Sequence, residues 1–169
     1  PVFYHDERED IKLGYGFSHR FGIKYSSSGE KRGKTMDYEA LRRYLNENDP
    51  YSKYSHVQIV KLEPGKSEVK MEIRPENQNF MGFLHGGAFY TLADVAGGGA
   101  LLSNNSRCVT LQADLHFLHQ VHGKSITAYG RCVHMGHTTG VSEVKMMDEA
   151  GHCVAVCTCT MFFTGEKLD

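Results

Sequence analysis

This 169-residue chain lacks paired metal-binding cysteines, a serine nucleophile elbow, an apolar run of membrane length and an excess of charge of either sign, and each absence removes a class of function. Its 19 basic and 20 acidic residues leave a formal net charge of −1. That balance creates no field to draw the chain to DNA, RNA or an anionic membrane. The longest apolar stretch, Ala88 to Leu102, is interrupted by Asp94 and is shorter than the roughly 20 residues a bilayer span requires. No leader segment is recognisable, so a cytoplasmic location is the expectation.

The five cysteines, at 108, 132, 153, 157 and 159, are odd in number and contain no C-x-x-C pair, the spacing that marks structural zinc. Cys153, Cys157 and Cys159 share one parity of an expected strand, so they read as small apolar side chains facing one way. Gly-x-Ser-x-Gly is absent, which sets aside Ser–His nucleophilic chemistry of that type. Ten histidines raise the question of a metal, above all at His116, His119 and His122. On a strand, however, His116 and His119 point to opposite faces and do not form a ligand set by themselves. No metal or cofactor is expected.

What is present is ordinary for a soluble, folded domain: 40% apolar and 23% charged residues, in a chain long enough to bury a core. Residues 1–35 show little periodicity. They are rich in aromatic residues and glycine, and the run from Ser26 to Lys34 reads as a linker or exposed loop. They are taken as an N-terminal extension to a domain spanning 36–169. From Thr35 the apolar spacing predicts a short amphipathic helix, capped by Thr35 or Asp37 and stopped before Pro50.

Alternation then predicts a hairpin of Val57 to Glu63 and Glu68 to Arg74 about Glu63-Pro64-Gly65-Lys66, with Val69, Met71 and Ile73 on its dry face. A long helix is expected from about Gly86 to Ser103. Further strands are expected at 108–118, 124–135, 138–148 and 152–164. Hairpin-linked strands around one long helix make an antiparallel α+β domain. Gly97-Gly98-Gly99 inside that helix opposes local propensity by about 1 kcal/mol per glycine. Either the helix frays there, or the glycines admit the sheet, a partner helix or a ligand chain.

The chemistry is concentrated in Asn79-Phe80-Met81-Gly82-Phe83-Leu84-His85-Gly86-Gly87, followed by Asp94 nine residues after the histidine. The free N–H groups of a helix start, at the positive end of its dipole, are donors for a developing oxyanion. Glycines 86 and 87 let a ligand approach the backbone. A carboxylate on the same helix can attack a carbonyl or activate a water. At about 1.5 Å per residue, Asp94 lies roughly 12 Å along the axis from Gly86, too far for both to touch one carbonyl carbon. Two such helices packed antiparallel in a symmetric dimer would bring Asp94 of one chain beside Gly86 of the other. A homodimer with shared sites is therefore expected.

Asp94 shares its helix face with Gly87, Tyr90, Thr91 and Gly98, all uncharged, and burial of that face would suit it to act as a general base. His85 has two readings, proton exchange or a structural part in orienting the Asn79 loop or capping the helix, and the structural one is favoured.

Asn79, Gly82, His85-Gly86-Gly87, Leu92-Ala93-Asp94 and Ala96 resemble the hotdog-fold acyl-CoA thioesterases of the phenylacetate-degradation type, over about Asp37 to Phe163. In that family a long helix is wrapped by an antiparallel sheet. The resemblance implies that the Gly86 amide binds the thioester oxygen and that Asp94 is base or nucleophile. It gives Asn79 the orientation of water or thioester, and it gives Thr110, sixteen residues past Asp94, the support of the carboxylate or water. It further implies an acyl-CoA substrate, bound by Gly87, Tyr90, Gly136, His137 and Thr138, and dimers that can pair into tetramers. Two departures are visible: His137 and Thr138 follow Gly136 where coenzyme A-binding relatives often carry a basic residue, and Gln120 stands where a proline is common. Two other functions share the fold. A silent acyl-ligand binding protein would be expected to lack Asp94 or Asn79, and a hydratase or dehydratase would pair a histidine and a carboxylate in a different motif.

Overall fold

The computed structural model describes residues 36–103 and 105–168. The N-terminal extension expected at 1–35 lies outside the described residues.

Helix α1 (Tyr38–Asn48) starts at Asp37, whose side chain accepts the Ala40 N–H at 2.9 Å, so the second of the two expected caps is the one used. The helix ends where expected, but the chain does not then run straight into the sheet. Asp49 caps a second helix, α2 (Pro50–Tyr54), by accepting the N–H groups of Tyr51 and Ser52 at 3.1 and 3.2 Å. Proline forbids continuation of α1, yet at the first position of a new helix its missing N–H costs nothing. The same residue that ends one helix therefore opens the next.

Six strands follow: β1 (Val57–Glu63), β2 (Lys66–Glu72), β3 (Cys108–Phe117), β4 (Ser125–Met135), β5 (Thr139–Asp148) and β6 (Cys153–Phe163). They form one antiparallel sheet in the order β1-β2-β4-β5-β6-β3. Gly65, at φ +70°, completes the β1–β2 turn after Pro64 in the conformation that glycine tolerates. Edge strand β1 is covered in part by α1. Asn46 both accepts from Ile59 N–H and donates to Ile59 C=O, each at 2.9 Å, beside the irregularity between Ile59 and Lys61. A strand edge that would otherwise be unpaired is thereby satisfied.

The long helix, α3 (Gly86–Leu102), lies across one face of the sheet. Leu92, Ala93, Ala96, Ala100 and Leu101 are fully buried, as are Val69, Met71, Ile126, Ala128 and Met146 on the strands. Small residues set the spacing. A Cβ on Gly97 would come within 2.9 Å of both Cys159 Sγ and Ser142 Oγ, and one on Gly99 within 3.2 Å of Ser67 Cβ. From the sheet side, a Cβ on Gly130 would collide with the Ala96 carbonyl. Ser67 Oγ donates to that carbonyl at 2.5 Å, tying strand to helix. The glycines are thus buried helix, not a frayed end, and what Gly97 and Gly99 admit is the sheet. Cys157 and Cys159 are buried on the parity expected of them, with Cys153 half-buried, and all five cysteines are free.

Candidate active site

The segment before α3 is a closed loop built on Asn79. The Asn79 side-chain oxygen accepts the N–H groups of Met81 and Phe83 at 2.9 and 3.1 Å. The main chain closes the same turn, from Asn79 N–H to Phe83 C=O at 2.7 Å and from Gly82 N–H to Asn79 C=O at 2.9 Å. Gly82 occupies the left-handed region at φ +80°, which explains glycine there. Asn79 therefore shapes the loop with its oxygen. Its amide NH2 is the half of the side chain left for a ligand.

His85 is the N-cap of α3. Its Nδ1 accepts the Gly87 N–H at 2.9 Å, and its carbonyl accepts the N–H of Ala88 at 2.9 Å. An Nδ1 that accepts carries no proton, so the ring serves here as a cap, in line with the favoured structural reading. Of the two glycine amides, Gly87 is taken by this bond. The Gly86 N–H has no acceptor among the described residues and is the donor presented by the helix start. A ligand meets little obstruction there, because the nearest side-chain atom to a Cβ built on Gly86 is in the Phe117 ring at 3.4 Å.

Two turns further along α3, Asp94 meets Thr110 of β3. The threonine Oγ1 donates to Asp94 Oδ1 at 2.5 Å. Met161 Sδ lies 3.2 Å from the same hydroxyl, but one hydroxyl has one proton, and the carboxylate is the stronger acceptor. Oδ2 of Asp94 has no partner among the described residues, so one oxygen is anchored and the other is available to a water or carbonyl.

Burial of the Asp94 face, expected from its uncharged neighbours, is not achieved within one chain. Asp94, Gly87 and Tyr90 are exposed and Thr91 is half-buried, while Gly98 is buried. The exposure is not confined to the helix. Phe80 and Met81 of the loop, and Val109, Leu111 and Phe117 of β3, are exposed large apolar residues, and β3 is the last strand of the sheet. Such an apolar surface on a strand edge is unusual for a monomer.

Gly136, His137 and Thr138 form the β4–β5 turn, closed by Gly136 N–H to Thr139 C=O at 2.8 Å. Thr138 C=O accepts from Phe163 N–H at 2.8 Å. Since Thr139 pairs with Phe162 and Phe162 with Val109, this turn lies two strands from Thr110, at the same end of the sheet. The site thus groups Asp94 with Thr110 directly and the turn nearby, while Gly86 remains at the far end of the helix segment.

A pocket of about 170 Å³ opens at Asp94, between α3, β1, β3 and the α1–α2 pair. Its lining includes Gly98, Cys108 and Met161, none of which was among the expected site residues. The helical spacing of Gly98 from Asp94 was the one available sign. Burial and the neighbouring Asp94 charge push the Cys108 thiol up to about 11, so it sits in the wall as a neutral group. Among the described residues no cluster of three metal-ligating side chains occurs, and no helix is long and apolar enough to cross a membrane.

Comparison with known proteins identifies the family. Residues 81–155 match the family model of the thioesterase superfamily. The structure resembles the Escherichia coli PaaI protein from the phenylacetic acid degradation operon, with a TM-score of 0.70 at 25% identity, covering 74% of this chain and 91% of that one. It also resembles smu.793 from Streptococcus mutans UA159, solved bound to acetyl CoA, with a TM-score of 0.61 at 36% identity over 66% of this chain and 90% of that one. In sequence the chain is 28% identical to the 1,4-dihydroxy-2-naphthoyl-CoA hydrolase of Listeria monocytogenes, over 62% of this chain and 88% of the relative. With a long helix on a six-stranded antiparallel sheet and these relatives, the chain belongs to the thioesterase superfamily, as a hotdog-fold thioester hydrolase of the phenylacetate-degradation type.

Proposed function

We propose that the protein hydrolyses acyl-CoA thioesters at sites shared between two copies of the chain. The observation that carries this reading is the division of the machinery along α3. The Gly86 N–H is an unpaired donor at the helix start, whereas Asp94, anchored by Thr110, lies roughly 12 Å further along the axis. Antiparallel packing of two α3 helices about a two-fold axis puts Asp94 of one protomer beside Gly86 of the other, twice. The apolar edge of β3 and the exposed Phe80 and Met81 supply surface for such a contact, which buries the face that one chain leaves open.

In the proposed reaction the thioester oxygen accepts from the Gly86 N–H, which stabilises the oxyanion formed as water adds to the carbonyl carbon. Asp94 takes the proton from that water through its free oxygen, and Thr110 holds the other oxygen in place. Collapse of the intermediate breaks the carbon–sulfur bond, and the proton held by Asp94 is available to the departing thiolate. Direct attack by Asp94, followed by hydrolysis of the mixed anhydride, uses the same placement. Asn79 NH2 and Tyr90 are assigned to the oxyanion end of the substrate, and Gly136, His137 and Thr138 to the coenzyme A half. No metal or redox cofactor takes part in these steps.

The test is thiol release from a panel of short, long and aromatic acyl-CoAs, with the native chain beside Asp94→Asn. Loss of a general base lowers kcat by about a hundredfold or more. Equal activity in the variant would discard the mechanism. Binding without release by the native chain would identify an acyl-ligand binding protein instead.

A further inference from the structure

The pocket behind Asp94 is built to exclude polar ligands. Of its polar lining groups, Asn46 spends both ends of its amide on the Ile59 main chain at 2.9 Å. Asp49 is consumed by Tyr51 N–H, Ser52 N–H and the Ser52 hydroxyl, the last at 2.5 Å. Thr110 donates to Asp94. The remaining walls include Leu45, Val57, Ile59, Leu102 and Met161. Beyond the free oxygen of Asp94 at its mouth, the pocket therefore offers an incoming group van der Waals contact in place of hydrogen bonds, and a hydroxyl or carboxyl placed there would go unpaired.

Its size is also informative. A volume of about 170 Å³ is close to the roughly 150 Å³ of an apolar cavity that accommodates one benzene ring. Gly98 lies on the pocket wall, one turn past Asp94. A Cβ built on it meets only Met161 Cε, at 3.7 Å, so a methyl group there projects into free space without a clash. Gly97 and Gly99 differ from it in being pressed against the sheet. Gly98 is the glycine of the three whose missing side chain leaves room for a ligand.

We infer that this pocket receives the acyl tail, that it selects wholly apolar tails of about six carbons, and that Gly98 on one wall and Leu45 on the other set its depth. The inference rests on the thioesterase reading above and extends it to substrate choice. Because the pocket opens at Asp94 of its own chain, the tail lodges in the protomer that supplies the acid, while the carbonyl oxygen is held by Gly86 of the other. The tail thus crosses the interface, and helices α1 and α2 become part of the substrate site.

The experiment is calorimetric binding of non-hydrolysable S-alkyl thioethers of coenzyme A bearing propyl, hexyl, dodecyl, 6-hydroxyhexyl and phenylethyl tails. The native protein, Gly98→Ala and Leu45→Ala are compared, and thiol release from acyl-CoAs of matching length is measured in parallel. For the native chain, affinity rises from propyl to hexyl, gains nothing further at dodecyl and falls on adding the terminal hydroxyl. The phenylethyl arm distinguishes a ring-shaped from an extended pocket. Gly98→Ala lowers the hexyl-to-propyl affinity ratio by about fourfold, the worth of one methylene-sized contact, and Leu45→Ala moves the optimum to a longer tail. Affinity indifferent to tail length, or the same ratio in all three proteins, overturns the assignment. Length-dependent binding with no thiol release overturns the hydrolase mechanism and leaves the pocket assignment standing.

Discussion

Thr110 and Asp94 are joined by a 2.5 Å hydrogen bond from the threonine hydroxyl on strand β3 to one carboxylate oxygen on helix α3. The bond crosses between elements, and it leaves the other carboxylate oxygen oriented and unoccupied. A hydrogen bond to a charged group contributes about 1.5–3 kcal/mol. Thr110→Val should therefore reduce kcat by about ten- to a hundredfold while KM changes little, and Thr110→Ser should recover most of the loss. Steady-state kinetics of the two variants test this. Equal defects in Val and Ser would show that the methyl group, not the hydroxyl, is what matters.

The three consecutive glycines of α3 should respond differently to alanine. At Gly97 the new methyl group would meet Cys159 Sγ and Ser142 Oγ at 2.9 Å, an overpacking that costs about 1–3 kcal/mol. At Gly98 the same methyl has room, and helix propensity favours it by about 1 kcal/mol. Urea denaturation should show Gly97→Ala less stable than the native chain and Gly98→Ala at least as stable. Equal destabilisation of both would contradict the packing described.

His85 caps α3 through Nδ1, so its removal should first be felt in the helix start. His85→Ala is expected to cost about 1 kcal/mol of stability, the usual value of an N-cap, together with activity, because Gly87, next to the Gly86 donor, loses its anchor. His85→Asn, which can cap from the same position, should restore stability and part of the activity. Were Asn to rescue stability but none of the activity, the imidazole would have a chemical role beyond the cap.

Acid stability should depend on Asp148 at the end of β5. Burial by itself would raise this carboxyl. The His152 N–H at 2.9 Å, the His152 ring at 3.2 Å and the His122 backbone nevertheless hold it below its ordinary value of 3.8. A carboxyl lowered in the folded state contributes stability that is fully present above its unfolded value and is lost as pH falls through its folded value. The stability difference between the native chain and Asp148→Asn should therefore be widest near neutrality and should shrink once the pH drops below about 3.8. Urea midpoints of both proteins from pH 7 to pH 3 measure it, and a constant difference across that range would refute the linkage.

Much of this structure was legible in local patterns, because local physics produced it. Glycines after a histidine cap begin α3, Pro64-Gly65 turns the first hairpin, and Val69 and Met71 alternate into the core. Relationships between distant segments were not legible. Nothing local in β3 says that it pairs with β6 at the far edge of the sheet instead of with β2. The pocket walls come from residues as far apart as Leu45, Cys108 and Met161, which no spacing rule connects. Pro50 was read as a stop because proline breaks a helix, whereas Asp49 uses it to start one. The uncharged neighbours of Asp94 suggested burial, yet in one chain Gly87 and Tyr90 are exposed and, of the four, Gly98 alone is buried. On the proposed reading, those neighbours report the environment of a site that a second copy of the chain completes.

The central claim, that one site takes Gly86 from one chain and Asp94 from another, is tested most directly by subunit complementation. Gly86 is the first residue of α3, a position that accepts proline, so Gly86→Pro deletes the amide donor while respecting the helix. Asp94→Asn deletes the base. Each variant alone should be inactive toward acyl-CoA. Heterodimers purified by two different tags should carry one site with both groups intact and one with neither, and so recover about half of the native activity per dimer. Heterodimers as inactive as the two parents would contradict the shared site and place both groups in one chain.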